Sequence, residues 1–153
     1  MHRIVIVDDS REVRAALRVL LEHKGFEVVA ETADYDEAVD LVVTAKPNAV
    51  LLDWMFDGKP GGALALASLR RWAPEVPVVV YTAYPDEAAT SAKELGAAFV
   101  ATKQIAESTD LARVVGAVID EWDLGGAPPS RGAHGEAGGG LDQAQVGRTA
   151  AMA

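Results

Sequence analysis

The chain has 153 residues, half of them hydrophobic and 24% charged, which fits one globular domain with a core that needs no covalent staple. It contains no cysteine, which excludes disulfide frameworks, thiolate metal sites and cysteine nucleophiles. The net charge of −9 offers no basic face to nucleic-acid phosphates, so direct nucleic-acid binding is not expected.

The chain opens on MHRIVIVDDS. The apolar run Ile4–Val7 is too short for a signal peptide or a membrane span and reads as a buried strand ending in Asp8-Asp9. A cytoplasmic protein that does not enter the membrane is the expectation. Ser10 is a plausible N-cap for a helix whose apolar positions are Val13, Leu17, Leu20 and Leu21, with Lys24 on the same spacing and Gly25 as its stop. A second β-branched run covers Val28–Ala30. Asp34 is the next cap candidate, and Glu37 three residues on resembles a capping box. Ala38, Leu41, Val42 and Ala45 line one helix face before Pro47. The third run, Ala49–Leu52, ends on Asp53 in the stretch LLDWMFDGKPGG, where Gly61-Gly62 let the chain turn into a third helix.

The fourth run, Val78–Tyr81, ends in Thr82-Ala83, and the fifth, Phe99–Ala101, ends in Thr102-Lys103. Ser108 and Thr109 then precede the clearest stripe, made by Leu111, Val114, Val115, Val118, Ile119 and Trp122. After Trp122 the composition changes. Residues 124–153 hold eight of the fourteen glycines and a Pro-Pro pair, and their charges cancel. The reading is a domain at 1–123 and a disordered Gly/Ala/Pro-rich tail at 124–153, because such a segment buries too little surface to offset its ordering entropy.

Five short apolar runs alternating with helical segments predict a five-stranded parallel sheet covered by helices on both faces. In such sheets sites form at the carboxyl ends of the strands, near the switch in strand order. There the chain supplies Asp8, Asp9, Asp53, Thr82 and Lys103. Any one of these could be an ordinary loop residue; at the ends of four strands, in order, they form a set. Clustered carboxylates with no His or Cys suit a hard divalent ion such as Mg²⁺. A carboxylate beside that ion can attack phosphorus, and an ammonium and a hydroxyl suit the charge that spreads over the transferring phosphoryl oxygens.

These residues resemble the response regulator receiver family, the CheY-like domains of two-component phosphorelay systems. The likeness rests on V-D-D-S at 7–10, L-L-D-W-M at 51–55, Gly61, V-Y-T-A at 80–83 and G-A-A-F-V-A-T-K at 96–103. It implies a doubly wound (βα)5, flavodoxin-like three-layer α/β sandwich. It implies Asp53 as phosphoacceptor, Mg²⁺ on Asp8, Asp9, Asp53 and the backbone carbonyl of Met55, Lys103 on the phosphoryl oxygens, and Thr82 as the hydroxyl that moves to them. The donor would be a histidine kinase or a histidine phosphotransferase. The domain would catalyse only its own phosphorylation and dephosphorylation, and would act as a stand-alone receiver. The face made by the fourth helix, fifth strand and fifth helix would meet an output protein or a second copy.

Four departures from the family pattern stand out. Phe56-Asp57 replaces the usual Met-Pro; Asp57 reads first as a solvated loop acid, with a contribution to the potential at the metal as the alternative. Lys59 reads as a solvated loop lysine, Lys103 being the better phosphate ligand. Gln104 replaces the proline after the lysine, so a trans bond is expected. The aromatic expected at Val100 is Phe99 instead, which should face the other way, with Tyr84 as a substitute reporter. Trp54 reads as a packing residue. The histidines at 2, 23 and 134 are too scattered for a metal site. Two other classes compete: a degenerate receiver that only binds partners, and a haloacid dehalogenase-type phosphatase. Against the phosphatase, the position two after the nucleophile is Met55 rather than an acid.

Overall fold

Ile4, Val5, Ile6 and Val7 are each fully buried, which requires a strand covered on both faces, and their strand lies inside the sheet with a neighbour on each side. The structure, a computed structural model, describes residues 1–55, 61–83, 85–102 and 110–126. The readings made for Phe56, Asp57, Lys59, Tyr84, Lys103, Gln104, Ser108, Thr109 and residues 127–153 of the tail lie outside them.

The strands are β1 (Arg3–Val7), β2 (Glu27–Thr32), β3 (Ala49–Asp53), β4 (Val78–Thr82) and β5 (Phe99–Thr102), all parallel, in the order β2-β1-β3-β4-β5. The helices are α1 (Arg11–His23), α2 (Ala38–Ala45), α3 (Gly62–Trp72), α4 (Pro85–Glu94) and α5 (Asp110–Glu121). Each expected strand is present, one to three residues longer than its apolar run, because ladder pairing continues into the polar residues at the ends. Among the described residues no helix is long and apolar enough to cross a membrane.

Strand alternation divides the core in two. Ile4, Ile6, Leu51, Val79, Tyr81 and Ala101 pack with Leu17 and Leu21 of α1 and with Leu111, Val115 and Ile119 of α5. Val5, Val7, Val50, Leu52, Val78 and Val80 pack with residues of α2, α3 and α4, including Val42, Leu66, Leu69 and Ala92. Each fully buried Leu or Ile contributes roughly 2 kcal/mol of transfer free energy.

Local signals account for the helix ends. The Ser10 hydroxyl accepts from the Val13 amide at 3.2 Å. α1 closes at His23 with Lys24 as its cap; the amides of Gly25 and Phe26 donate to the carbonyls of Glu22 and Leu21 at 3.1 and 3.0 Å, with Gly25 at φ +91°. Three expectations need correction. The Asp34–Glu37 box is relayed: the Asp34 amide donates to the Thr32 hydroxyl at 2.9 Å, which donates to Glu37 at 2.8 Å. Thr32 intervenes because Asp34 caps a short 3₁₀ turn, Tyr35–Glu37, rather than an α-helix. Trp122 leaves the α5 stripe. The α-helix gives way to a π-helical turn at Trp122–Gly126, and the indole donates to the Glu75 carbonyl at 2.9 Å, beneath the Arg70 guanidinium. Gly61 and Gly62 both avoid positive φ, so conformational freedom is not what the turn into α3 draws on; Gly62 is required for a close approach.

Candidate functional site

β1 and β3 are neighbours, and the chain passes to opposite sides of β1 to form β2 and β3. Their carboxyl ends therefore flank the switch in strand order, where an open α/β sheet forms a crevice. β1 delivers Asp8 and Asp9 to this edge and β3 delivers Asp53. One carboxylate oxygen from each of the three lies within 4.8 Å of the others. Asp8 and Asp53 are buried and Asp9 is exposed, so the cluster meets solvent on the Asp9 side.

The Asp8 backbone is held on both sides. Its amide donates to the Thr32 carbonyl at 3.0 Å, and its carbonyl accepts from the Arg14 guanidinium at 2.6 Å. Arg14 is itself fixed by Glu31 at 2.9 Å, which Arg18 also grips at 2.7 Å. Burial works against the charge on Glu31, but hydrogen bonds from Arg18 and Arg14 outweigh it and hold the carboxyl below its ordinary value. The Asp8 side chain accepts through both oxygens: Oδ1 from the Ser10 amide at 2.7 Å, and Oδ2 from the Tyr81 hydroxyl at 2.5 Å.

Asp53 is the last residue of β3. Its Oδ1 accepts from the Met55 amide at 3.2 Å, and its carbonyl accepts from the Tyr35 hydroxyl at 2.5 Å. The next residue, Trp54, is buried in the second core cluster and donates its amide to the Tyr81 carbonyl at 3.1 Å. The Gly62 amide returns to the Trp54 carbonyl at 3.0 Å. A Cβ on Gly62 would stand 2.8 Å from the Asp53 carbonyl oxygen, 2.8 Å from the Trp54 Cα and 2.9 Å from its carbonyl oxygen. The backbone that presents Asp53 is thus packed directly against the start of α3.

Thr82, fully buried, ends β4 next to this edge and pairs with Thr102. By strand parity Val80, Thr82 and Val100 share one face, and Val80 and Val100 both pack on the α2–α4 side. Phe99 falls on the other face and is 38% exposed, so the displaced aromatic does not lie on the side of Thr82. Lys103 follows β5 and lies outside the described residues.

Two tyrosines were not among the residues singled out from sequence. Tyr35 carries no pattern signal, since it reaches Asp53 from the 3₁₀ turn. Tyr81 was quoted only as part of V-Y-T-A. Its parity on β4 puts it on the face of Ile6 and Leu51, and that was the available clue. Burial first, then the charge of Asp8, raises the Tyr81 hydroxyl well above its ordinary value; burial first, then Asp53, Asp8 and Asp9, raises that of Tyr35. Both phenols are therefore protonated donors at neutral pH.

Three converging carboxylates repel one another. An all-oxygen set of this kind, with no His or Cys among it, suits a hard divalent cation. The chain is thus a doubly wound α/β domain with an acidic edge at the switch in strand order. Residues 4–115 match the model of the response regulator receiver domain, and the chain belongs to that family. It is 32% identical over 115 residues to Protein CcdB of Bacillus subtilis, covering 74% of this chain and 95% of CcdB. It is 36% identical over 86 residues to the phosphate regulon transcriptional regulatory protein PhoB of Klebsiella pneumoniae, covering 56% of this chain but only 37% of PhoB. The crystal structure of a LuxR-family two-component response regulator from an Aurantimonas species superposes with a TM-score of 0.72 at 33% identity, covering 78% of this chain and 86% of that one.

Proposed function

We propose that this chain is a phosphorylation-dependent receiver that takes a phosphoryl group onto Asp53 from a histidine kinase or histidine phosphotransferase. The observation that carries this is the convergence of Asp8, Asp9 and Asp53 within 4.8 Å at the strand-order switch. A carboxylate oxygen of Asp53 forms the P–O bond as the P–N bond of the donor phosphohistidine breaks; the imidazole leaves with the electron pair and takes a proton. The donor set fits Mg²⁺, with Asp8, Asp9, Asp53 and the Met55 carbonyl as the residues that would hold it. When bound, the ion supplies charge neutralisation at the phosphoryl oxygens.

This chain's own residues do the rest. The Met55 amide orients the Asp53 carboxylate, Lys103 supplies an ammonium to the phosphoryl oxygens, and Thr82 donates its hydroxyl to them. The protein turns over only its own phosphoryl group. The consequence is altered partner binding, with the α4–β5–α5 face as the surface for an output protein or a second copy, in the cytoplasm.

Incubation with Mg²⁺ and acetyl phosphate tests this by intact mass. A gain of one phosphoryl group that is lost in Asp53→Asn is the expected result. No gain with any donor would make the chain a phosphorylation-independent binding module, and sustained turnover of a phosphomonoester would make it a phosphatase.

A further inference from the structure

We propose that Tyr81 is a positioning residue of the cation site, holding Asp8 ready for a divalent ion before the ion arrives. The inference rests on the reading of the acidic cluster as that site. Tyr81 is fully buried, and its hydroxyl donates to Asp8 Oδ2 at 2.5 Å across 73 residues of chain. β1 and β4 are not neighbours, because β3 lies between them, so the phenol spans the width of β3 to reach Asp8. Its ring is packed in the core cluster of Ile6, Leu51, Val79 and Leu111, which fixes where the hydroxyl points.

The same residue also holds the neighbouring strand end, since its carbonyl accepts from the amide of Trp54, the residue after Asp53. Tyr81 is therefore attached by side chain to one carboxylate of the cluster and by backbone to the segment bearing another. The physical need is plain. Asp8, Asp9 and Asp53 repel one another, and the Tyr81 hydroxyl on Oδ2, together with the Ser10 amide on Oδ1, keeps the Asp8 carboxylate from turning away. A charge-assisted hydrogen bond from a rigid, neutral donor opposes that rotation. The ion then meets a ligand already aimed, and its binding bears no cost of turning the side chain back.

Tyr81→Phe removes one oxygen and keeps the ring, so the core packing remains. Mg²⁺ titrations followed by the change in tryptophan fluorescence, with Trp54 beside Asp53, compare wild type, Tyr81→Phe and Tyr35→Phe. The last loses a phenol that bonds a backbone carbonyl instead of a carboxylate. The dissociation constant should rise roughly ten-fold or more in Tyr81→Phe, as for other partners of metal ligands, and stay within about two-fold in Tyr35→Phe. The near-ultraviolet tyrosine absorbance of wild type should also shift on Mg²⁺ addition, a signal absent from Tyr81→Phe. That shift is read on wild type and does not depend on the variant folding.

Equal or tighter binding by a folded Tyr81→Phe, or no tyrosine signal in a wild type that binds Mg²⁺, overturns the role of Tyr81 and leaves the cation site standing. A wild type with no response to Mg²⁺ overturns the cation site and the role of Tyr81 with it.

Discussion

Gly62→Ala should destabilise the protein although it adds a better helix former. Gly62 opens α3 with an ordinary helical backbone, and at an open helical position alanine is worth about 1 kcal/mol over glycine. Here the added methyl would lie 2.8 Å from the Asp53 carbonyl oxygen, 2.8 Å from the Trp54 Cα and 2.9 Å from its carbonyl oxygen. All three are backbone atoms, so no side chain can rotate away, and either α3 or the end of β3 has to shift. Overpacking by one methyl costs about 1–3 kcal/mol, and the rigid surroundings favour the upper part of that range. The net expectation is a loss of about 1–2 kcal/mol. Gly116→Ala is the matched control. Gly116 lies inside α5, and its Cβ would meet only the Phe26 Cζ, at an ordinary 3.8 Å. There the propensity acts unopposed, and a gain of about 0.5–1 kcal/mol follows. Urea unfolding of the three proteins, read by far-ultraviolet circular dichroism with m-values compared, measures both. A Gly62→Ala protein as stable as wild type would refute the reasoning, because helix propensity would then have outweighed the backbone contact.

Tyr35→Phe should cost about 1 kcal/mol in the same assay, the usual net worth of one hydrogen bond, since it leaves the Asp53 carbonyl without the phenol 2.5 Å away. Glu31→Gln should change how stability depends on pH. The Glu31 carboxyl is held below its ordinary value of 4.5, so its contribution is complete above that pH and is lost as pH falls through the lower folded-state value. The stability gap between wild type and Glu31→Gln, followed by thermal melts from pH 7 to pH 3, should be constant above about pH 5.5 and close below pH 4.5. A gap that widens on acidification would contradict the assignment.

Much of the fold was legible because its signals are local. A wholly apolar run of four residues implies a strand buried on both faces, as Ile4–Val7 and Ala49–Leu52 are. The Ser10 cap and the stop of α1 at Gly25 depend on residues no more than five positions apart. The position of the acids was legible for the same reason: a carboxylate that ends a fully buried run in a parallel sheet arrives at the edge where sites form. The errors came where a local rule met a partner from another element. Glu37 bonds to a β2 hydroxyl, and Trp122 leaves its helix stripe for the carbonyl of Glu75.

Composition, periodicity and strand-end residues thus determined by themselves a five-stranded parallel sheet covered on both faces, with carboxylates at one edge. Only the tertiary structure decided what holds those carboxylates. Tyr81 serves Asp8 because the strand order places one strand between β1 and β4, within reach of a phenol. Gly62 must lack a side chain because α3 starts against the backbone of Asp53 and Trp54. The physical reason is range: periodicity reports which face of its own element a residue occupies, whereas its partner there depends on how separate elements are stacked.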